Sequence, residues 1–127
     1  MLTTMKLLKE RCKKENLNLW QLAIKDEMEN TGRSEEEIFA RLQKTLDVMK
    51  ASSERALAED LRSVTGMTGG NAKKMHDYFL NGDSVLGETA STAMAMAFST
   101  SEVNAAMGRI VAAPTAGSAG IIPATLM

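Results

Sequence analysis

Residues 113–120 combine glycines with hydroxyl side chains in a stretch without charge. They read Ala-Pro-Thr-Ala-Gly-Ser-Ala-Gly, with Thr115 and Ser118 as the hydroxyls, and an apolar segment with Pro123 near its start follows. A loop rich in backbone N–H groups that leads into a helix is a reasonable cradle for an anion. The pattern therefore indicates a loop that could hold a substrate carboxylate.

The same pattern also fits a purely structural role. Gly117 and Gly120 permit backbone angles that are closed to other residues, but a tight buried connection between two packed helices uses glycine only for close approach. Because glycine-rich loops give many false matches, the local pattern alone favours the structural role.

A second glycine turn lies upstream, in the block Thr65-Gly-Met-Thr-Gly-Gly-Asn-Ala72. Gly69 and Gly70 leave N–H groups uncovered before a predicted short helix that Asn71 would cap and that ends near Leu80. This geometry favours an anionic ligand or a carboxylate. An ordinary interhelix loop capped by Asn71 is the structural alternative.

The two blocks together resemble the N-terminal part of the α chain, or α domain, of the iron–sulfur-dependent L-serine dehydratases. Residues 103–127, VNAAMGRIVAAPTAGSAGIIPATLM, carry one half of the resemblance. The Thr65–Ala72 block is similar to that family's S/T-G-L/M-T-G-G-D/N-A segment. The helical run before these blocks also fits, so the resemblance covers essentially the whole chain. It implies a lyase that converts L-serine to pyruvate and ammonia with a [4Fe–4S] cluster.

The resemblance also implies where the substrate would bind. The substrate-side residues are Thr68, Gly69, Gly70, Asn104, Thr115 and Ser118. The glycine turn would bind the substrate carboxylate or line the site, and Asn104 would hydrogen-bond the substrate or orient the loop. The two hydroxyls of the later loop would contact substrate or cluster sulfur. The proton-abstracting base stays unknown.

In that family an open iron would bind the serine hydroxyl as a Lewis acid and ease its departure. A cluster needs cysteine thiolates, and the family often has cysteine where this chain has Ala119. The lone Cys12 lies among cations on a predicted outer helix and is interpreted as an incidental thiol. The only histidine, His76, lacks neighbours at ligand spacing and is interpreted as a surface residue. We therefore expect no metal ligand in this chain and no cluster bound to it alone.

The elements that must position the two blocks are helices, because alternating Val/Ile/Thr runs bounded by turns are absent. The predicted fold is all-α: a bundle-like, multi-helix domain with glycine-rich interhelix loops. The helices are expected at about Leu2–Glu15, Leu19–Glu29, 35–62, 71–80 and 84–97, with a turn at Asn81–Asp83. A new helix of small residues would then run through Asn104 and Gly108.

Capping boxes and apolar stripes support these helices. The predicted capping boxes pair Asn18 with Gln21, Ser34 with Glu37, and Ser99 with Glu102, the last marking a break and restart. The apolar stripes, expected to be core, are Trp20, Ala23, Ile24 and Met28 on the second helix, and Ile38, Leu42, Leu46, Met49, Leu57 and Leu61 on the third.

Composition excludes several classes of function. Fifteen basic and sixteen acidic residues leave a net charge of −1, which gives no electrostatic case for nucleic acid. No apolar run approaches the ~20 residues of a membrane span, and no signal peptide is recognisable. The single cysteine rules out an internal disulfide and fits a reducing cytoplasm.

Charge is spread unevenly, since residues 84–127 carry only 3 of the 31 charged side chains. At this length we expect one domain, with residues 1–63 as polar outer helices and residues 64–127 as the small-residue, site-forming part. The uncharged part is too large for so small a chain to bury. We therefore expect a truncated α chain that packs against the remainder of the α chain and a β chain or domain.

Two other classes of function stay open. One is a non-catalytic helical interaction module that docks through its uncharged C-terminal half. The other is a phosphate-binding domain that uses the two glycine loops, although no lysine follows either loop as it does in a P-loop.

Overall fold

The computed structural model describes residues 4–82 and 84–127. In these residues the chain is helical and forms no β-strand, only an isolated bridge between Arg62 and Gly69. The helices are α1 (Met5–Glu15), α2 (Leu19–Thr31), α3 (Glu35–Ala58), α4 (Asn71–Asn81), α5 (Gly87–Ala105) and α6 (Ile121–Leu126), with a 3-10 turn at Ala116–Ser118. The all-α prediction is confirmed. The predicted helix start at Leu2 and the turn residue Asp83 lie outside the described residues.

The chain divides into two compact units, Met1–Gln43 and Lys44–Met127. In the first unit, ion pairs join α1 to α2. Arg11 donates two hydrogen bonds to the carboxylate of Asp26, at 2.8 and 2.7 Å, and Lys25 donates to Glu15 at 2.5 Å. The bond from Arg11 lowers the pKa of Asp26, and the bond from Lys25 lowers the pKa of Glu15. Both carboxylates therefore stabilise the α1–α2 hairpin when ionised.

Local capping signals place the first helix boundaries well. Gln21 Oε1 accepts a hydrogen bond from the backbone of Asn18 at 2.8 Å, as the first predicted capping box requires. The second is complete, since Ser34 N donates to Glu37 at 3.0 Å and Glu37 N donates to the Ser34 hydroxyl at 3.2 Å. Both predictions are confirmed.

The predicted apolar stripes are only partly correct. On α2 the buried residue is Leu22, whereas Trp20 is 56% exposed. A hairpin of two helices offers a narrow seam, so most of the predicted stripe stays in contact with solvent. On α3, Ile38 and Met49 are buried but Leu42 and Leu46 are exposed. That helix also ends at Ala58, before the predicted end near Arg62.

Small polar residues form the contact between the C-terminal half of α3 and α5 in the second unit. The hydroxyl of Ser99 donates to Ser52 O at 2.8 Å and accepts from Ala56 N at 2.9 Å. Those two backbone groups are four residues apart, the spacing of hydrogen-bond partners in an α-helix. Ser99 thus contacts one turn of α3 both as a donor and as an acceptor, and all three residues are buried.

The predicted break at Ser99–Glu102 is therefore wrong, because α5 continues to Ala105. The two side chains resemble a capping box in sequence, but their polar atoms bind neighbouring helices instead of the backbone of their own helix. The predicted new helix through Asn104 and Gly108 is wrong as well. The backbone turns away after Ala105, and Met107 has a φ of 61°.

Large apolar side chains remain exposed in the charge-poor segment, as its composition led us to expect. The exposed residues include Val85, Leu86, Met94, Phe98, Met107, Ile121 and Leu126. None of the described helices is long and apolar enough to span a bilayer.

Candidate functional site

The first glycine loop is shaped by a close approach of two backbone segments. Gly69 is buried with a φ of 129°, and a Cβ at this position would lie 2.9 Å from Arg62 Cα and overlap the carbonyl oxygen of Leu61. Gly70 N donates to that same carbonyl oxygen at 3.0 Å. Only glycine fits at position 69, because both the contact and the positive φ exclude a side chain.

Most of the N–H groups near this loop already have partners. Thr68 N donates to the hydroxyl of Ser63 at 3.2 Å, and Ser63 N donates to Thr68 O at 2.8 Å. With Gly70 N bonded to Leu61, the loop offers ligands the side chain of Thr68 more readily than its amides. Thr68 is exposed.

A carboxylate does lie at the start of α4, and it belongs to the chain itself. Glu102 Oε1 accepts from Asn71 N at 2.6 Å and from Ala72 N at 3.3 Å. The predicted capping role of Asn71 is wrong, because Asn71 is the first helical residue and Gly70, with a φ of 76°, takes the cap position. The orphan N–H groups of this helix start are satisfied by α5 instead.

The second glycine loop is a compact turn. Its hydroxyls bond each other, with Thr115 Oγ1 and Ser118 Oγ 3.1 Å apart, and Thr115 N donates to Ser118 Oγ at 3.3 Å. A Cβ on Gly120 would lie 2.7 Å from the carbonyl oxygen of Ala97 on α5. Gly120 has a φ of −78°, so glycine serves close approach here and the expectation of an unusual backbone angle is wrong. Pro123 lies near the start of α6, as predicted.

Both loops are anchored on α5, which brings the two sequence blocks together. The first loop contacts the end of this helix through Glu102 and through the bond from Val64 N to Ala105 O, 3.2 Å long. The second loop contacts it at Ala97. Five residues separate Ala97 from Glu102, or about 7.5 Å along the axis. Asn104 lies on α5 between Glu102 and Ala105, and it is exposed. We call these two loops and the last turn of α5 the candidate site.

Two arginines lie close to glycines, Arg62 beside Gly70 of the first loop and Arg55 beside Gly108 after α5. A Cβ on Gly70 would be 3.2 Å from Arg62 Nη2, and one on Gly108 would be 3.5 Å from Arg55 Nη1. Each guanidinium is paired with an exposed acid, Arg62 with Asp60 at 3.0 Å and Arg55 with Glu59 at 3.3 Å. These surface pairs contribute little to stability, and either arginine can exchange its acid for an anionic ligand.

The residues present do not fit an iron–sulfur cluster. Within residues 4–82 and 84–127 no three histidine, cysteine or acidic side chains are arranged to hold a metal ion. The single cysteine lies on α1, in the other unit. Ala119 is 2% exposed and offers a methyl group.

A shallow groove on α5 lies beside the second loop and is lined by Met94, Ala97, Phe98 and Ser101. Its volume is about 230 Å³ and its lining is mainly apolar. None of the predicted substrate-binding residues lines it. The groove therefore suits an apolar side chain better than an amino-acid substrate.

Comparison with known proteins assigns the family. The model of the serine dehydratase alpha chain matches residues 14–127, which include both glycine loops. The chain belongs to the serine dehydratase alpha chain family. It is 43% identical over 127 residues to the L-serine dehydratase alpha chain of Peptoniphilus asaccharolyticus. It is 42% identical over 126 residues to the probable L-serine dehydratase alpha chain of Bacillus subtilis (strain 168).

These matches cover this chain almost completely, but they cover less than half of each relative. They span 100% and 99% of this chain, against 44% and 42% of the two relatives. The chain thus spans less than half the length of the curated relatives it matches. No solved structure is significantly similar to it.

Sequence reasoning missed Glu102 as a residue of the site. The sequence spacing predicts a capping box between Ser99 and Glu102, whereas in the structure Glu102 accepts hydrogen bonds from the start of α4. A signal was present, because Glu102 is one of three charged residues in the segment 84–127. Of these three, Glu102 alone is buried, and a buried charged side chain almost always has specific partners.

Proposed function

We propose that this chain forms part of the substrate site of a lyase that deaminates L-serine to pyruvate and ammonia, and that it is inactive alone. Membership of the serine dehydratase alpha chain family supports the reaction class. The observation that carries the proposal is the anchoring of both glycine loops on α5, within about 7.5 Å along one helix axis. Residues far apart in sequence are thereby attached to the same helix, which supports a shared site.

Within this proposal, Thr68, Gly69 and Gly70 line one side of the site, and Thr115 and Ser118 line the other. The hydroxyl of Thr68 contacts the substrate, since the neighbouring amides are used inside the chain. The hydroxyls of Thr115 and Ser118 give up the hydrogen bond between them and bind the substrate instead. Both hydroxyls can donate or accept, which suits the carboxylate and the hydroxyl of serine.

Asn104 contributes at the end of α5. Its side chain is exposed beside the bond that holds the first loop to Ala105. There it hydrogen-bonds the substrate or orients the adjoining loop. An amide offers both a donor and an acceptor, so Asn104 can serve the ammonium or the carboxylate end of an amino acid.

The complete enzyme, in this proposal, contains a [4Fe–4S] cluster whose cysteine ligands lie outside this 127-residue sequence. Such a cluster would supply Lewis-acid assistance to the departure of hydroxide. The chain described here contributes substrate contacts and none of the ligands.

The proposed partners are the remainder of an α chain and a β chain or domain. The exposed apolar side chains of α5, α6 and the loop between them support a need for further polypeptide, including Phe98 and Ile121. We further propose a cytoplasmic location, since a lone free cysteine fits a reducing compartment. Nucleic acid and membrane are not among the proposed partners.

The test is to complete the enzyme. The chain is joined to the part of the Peptoniphilus asaccharolyticus alpha chain that the match does not cover, and is combined with a β chain under anaerobic conditions with iron and sulfide. We expect L-serine to yield pyruvate in this mixture and no pyruvate from the chain alone. Absence of pyruvate from a folded, cluster-loaded assembly contradicts the lyase proposal.

A non-catalytic docking module is the second candidate, and the exposed apolar groove on α5 favours it. A docking module is stabilised by partner polypeptide but gives no pyruvate in the completed assembly.

The phosphate-binding alternative predicts a higher melting temperature with phosphate. The occupation of the α4 N-terminus by Glu102 argues against it.

A further inference from the structure

Glu102 combines three properties that an ordinary surface glutamate lacks. It is 7% exposed, it lies in a segment with few charges, and its Oε1 atom accepts from two consecutive backbone amides. The shorter of these bonds, to Asn71 N, measures 2.6 Å. The short distance agrees with a charge-assisted bond at a helix N-terminus, where the helix dipole also favours a carboxylate.

The second carboxylate oxygen of Glu102 sets this contact apart. Glu102 Oε2 is buried and, among the described residues, it is the one buried side-chain nitrogen or oxygen without a hydrogen-bond partner. Leaving a buried acceptor unsatisfied costs stability, and a glutamine could bind both amides at a smaller desolvation cost. Such an exception calls for an explanation beyond simple packing.

The position of Glu102 shows which parts of the chain its carboxylate connects. Its partners, Asn71 and Ala72, directly follow the Gly69–Gly70 turn, and its own helix ends three residues later beside Asn104. Its two bonds therefore tie the segment that follows the first glycine turn to the last turn of α5. The contact joins the Thr65–Ala72 block to the helix that leads into the second block.

We propose that Glu102 is a positioning residue for serine elimination: its carboxylate fills the anion site at the start of α4 and thereby fixes the first glycine loop against α5. The proposal rests on the proposed lyase function. It also means that the substrate carboxylate does not bind the Asn71 and Ala72 amides, because an internal carboxylate already does. On this side of the site the substrate is left to the side chains of Thr68 and Asn104.

The first test uses the chain alone and measures hydrogen exchange of the Asn71 and Ala72 amides by NMR. Such first-turn amides lack intrahelical partners, so we expect Glu102→Ala to speed their exchange about tenfold relative to the wild type. Added formate should restore slow exchange in Glu102→Ala, because an external carboxylate can fill the vacated site. Glu102→Gln, which keeps an acceptor, should retain much of the protection.

Glu88→Ala is the matched control, since it removes an exposed acid from the first turn of the same helix. It should leave both amides unchanged. Unchanged exchange in a folded Glu102→Ala chain overturns the proposal. If Glu102→Ala does not fold, the Glu102→Gln chain is used instead. That variant keeps a hydrogen-bond acceptor, so loss of helix α4 in it also overturns the proposal.

The second test uses the completed enzyme. We expect Glu102→Ala to raise KM for L-serine about tenfold, with partial recovery in formate and a smaller effect in Glu102→Gln. A purely structural glutamate would lower the melting temperature and leave KM unchanged, and that outcome overturns the positioning role. If the wild-type assembly makes no pyruvate, the lyase proposal fails, while the exchange experiment still tests the Glu102 contact.

Discussion

Gly117 and Gly120 lie three residues apart in the second loop, but their surroundings differ. A Cβ on Gly120 would meet the backbone of Ala97 at 2.7 Å, whereas one on Gly117 would reach only Thr115 Oγ1, at 4.0 Å. We expect Gly120→Ala to lower the free energy of unfolding by about 1–3 kcal/mol and Gly117→Ala to change it by about 0.5 kcal/mol or less. Urea denaturation measures both, and equal effects would refute the close approach at Gly120.

These glycines show what a sequence can reveal at the scale of one residue. The clustering of glycine predicted a tight turn, and it also left open whether backbone angle or close approach was the cause. The answer depends on Ala97, which is 23 positions away in the chain. Local sequence cannot identify such a neighbour, so the physical role of Gly120 required the structure.

At the scale of elements, the contact between α3 and α5 depends on one hydroxyl. Ser99→Ala removes two buried bonds to α3 and leaves Ala56 N without this partner. We expect it to cost about 1–3 kcal/mol, whereas Ser101→Ala, which removes an exposed hydroxyl bonded within α5, should cost about 0.5 kcal/mol or less. Thermal unfolding followed by circular dichroism compares the two. A neutral Ser99→Ala would mean that the helices are held by other contacts.

The α1–α2 hairpin gives a prediction about pH. Because Arg11 lowers the pKa of Asp26 below its ordinary value of 3.8, the ionised carboxylate stabilises the folded state above pH 3.8, and this stabilisation is lost as the pH falls through the lowered pKa. The difference in melting temperature between wild type and Asp26→Asn should therefore be present at neutral pH and vanish in acid.

Glu10→Gln, which replaces an exposed acid of α1, controls for the change in net charge. A difference between wild type and Asp26→Asn that persists at the lowest pH would show that the aspartate acts through its shape and not through its charge.

The helices themselves were largely predictable, and the exceptions share one physical cause. The capping boxes at Ser34–Glu37 and Asn18–Gln21 are local and were read correctly, because every partner lies within three residues. The pair Ser99 and Glu102 has the same spacing, but its partners are 43 and 31 residues away. When a polar side chain can bind either its own backbone or a distant helix, sequence spacing alone favours the local choice.

At the scale of the whole molecule, the family and the two blocks were accessible from sequence, but their arrangement was not. The structure anchors both blocks on α5, about one and a half turns apart, and adds Glu102 as their connection. The chain spans less than half of its relatives and leaves apolar surface exposed on α5 and α6. These features agree with a site that is finished by other polypeptide.

KM measurements on variants of each loop test whether both loops bind the same substrate. In the completed enzyme, KM for L-serine is measured for Thr68→Val, for Ser118→Ala, and for Glu88→Ala as a control at an exposed residue in the first turn of α5. We expect the first two each to raise KM about tenfold and the control to match the wild type. An unchanged KM in both loop variants would contradict a serine site built from these two loops.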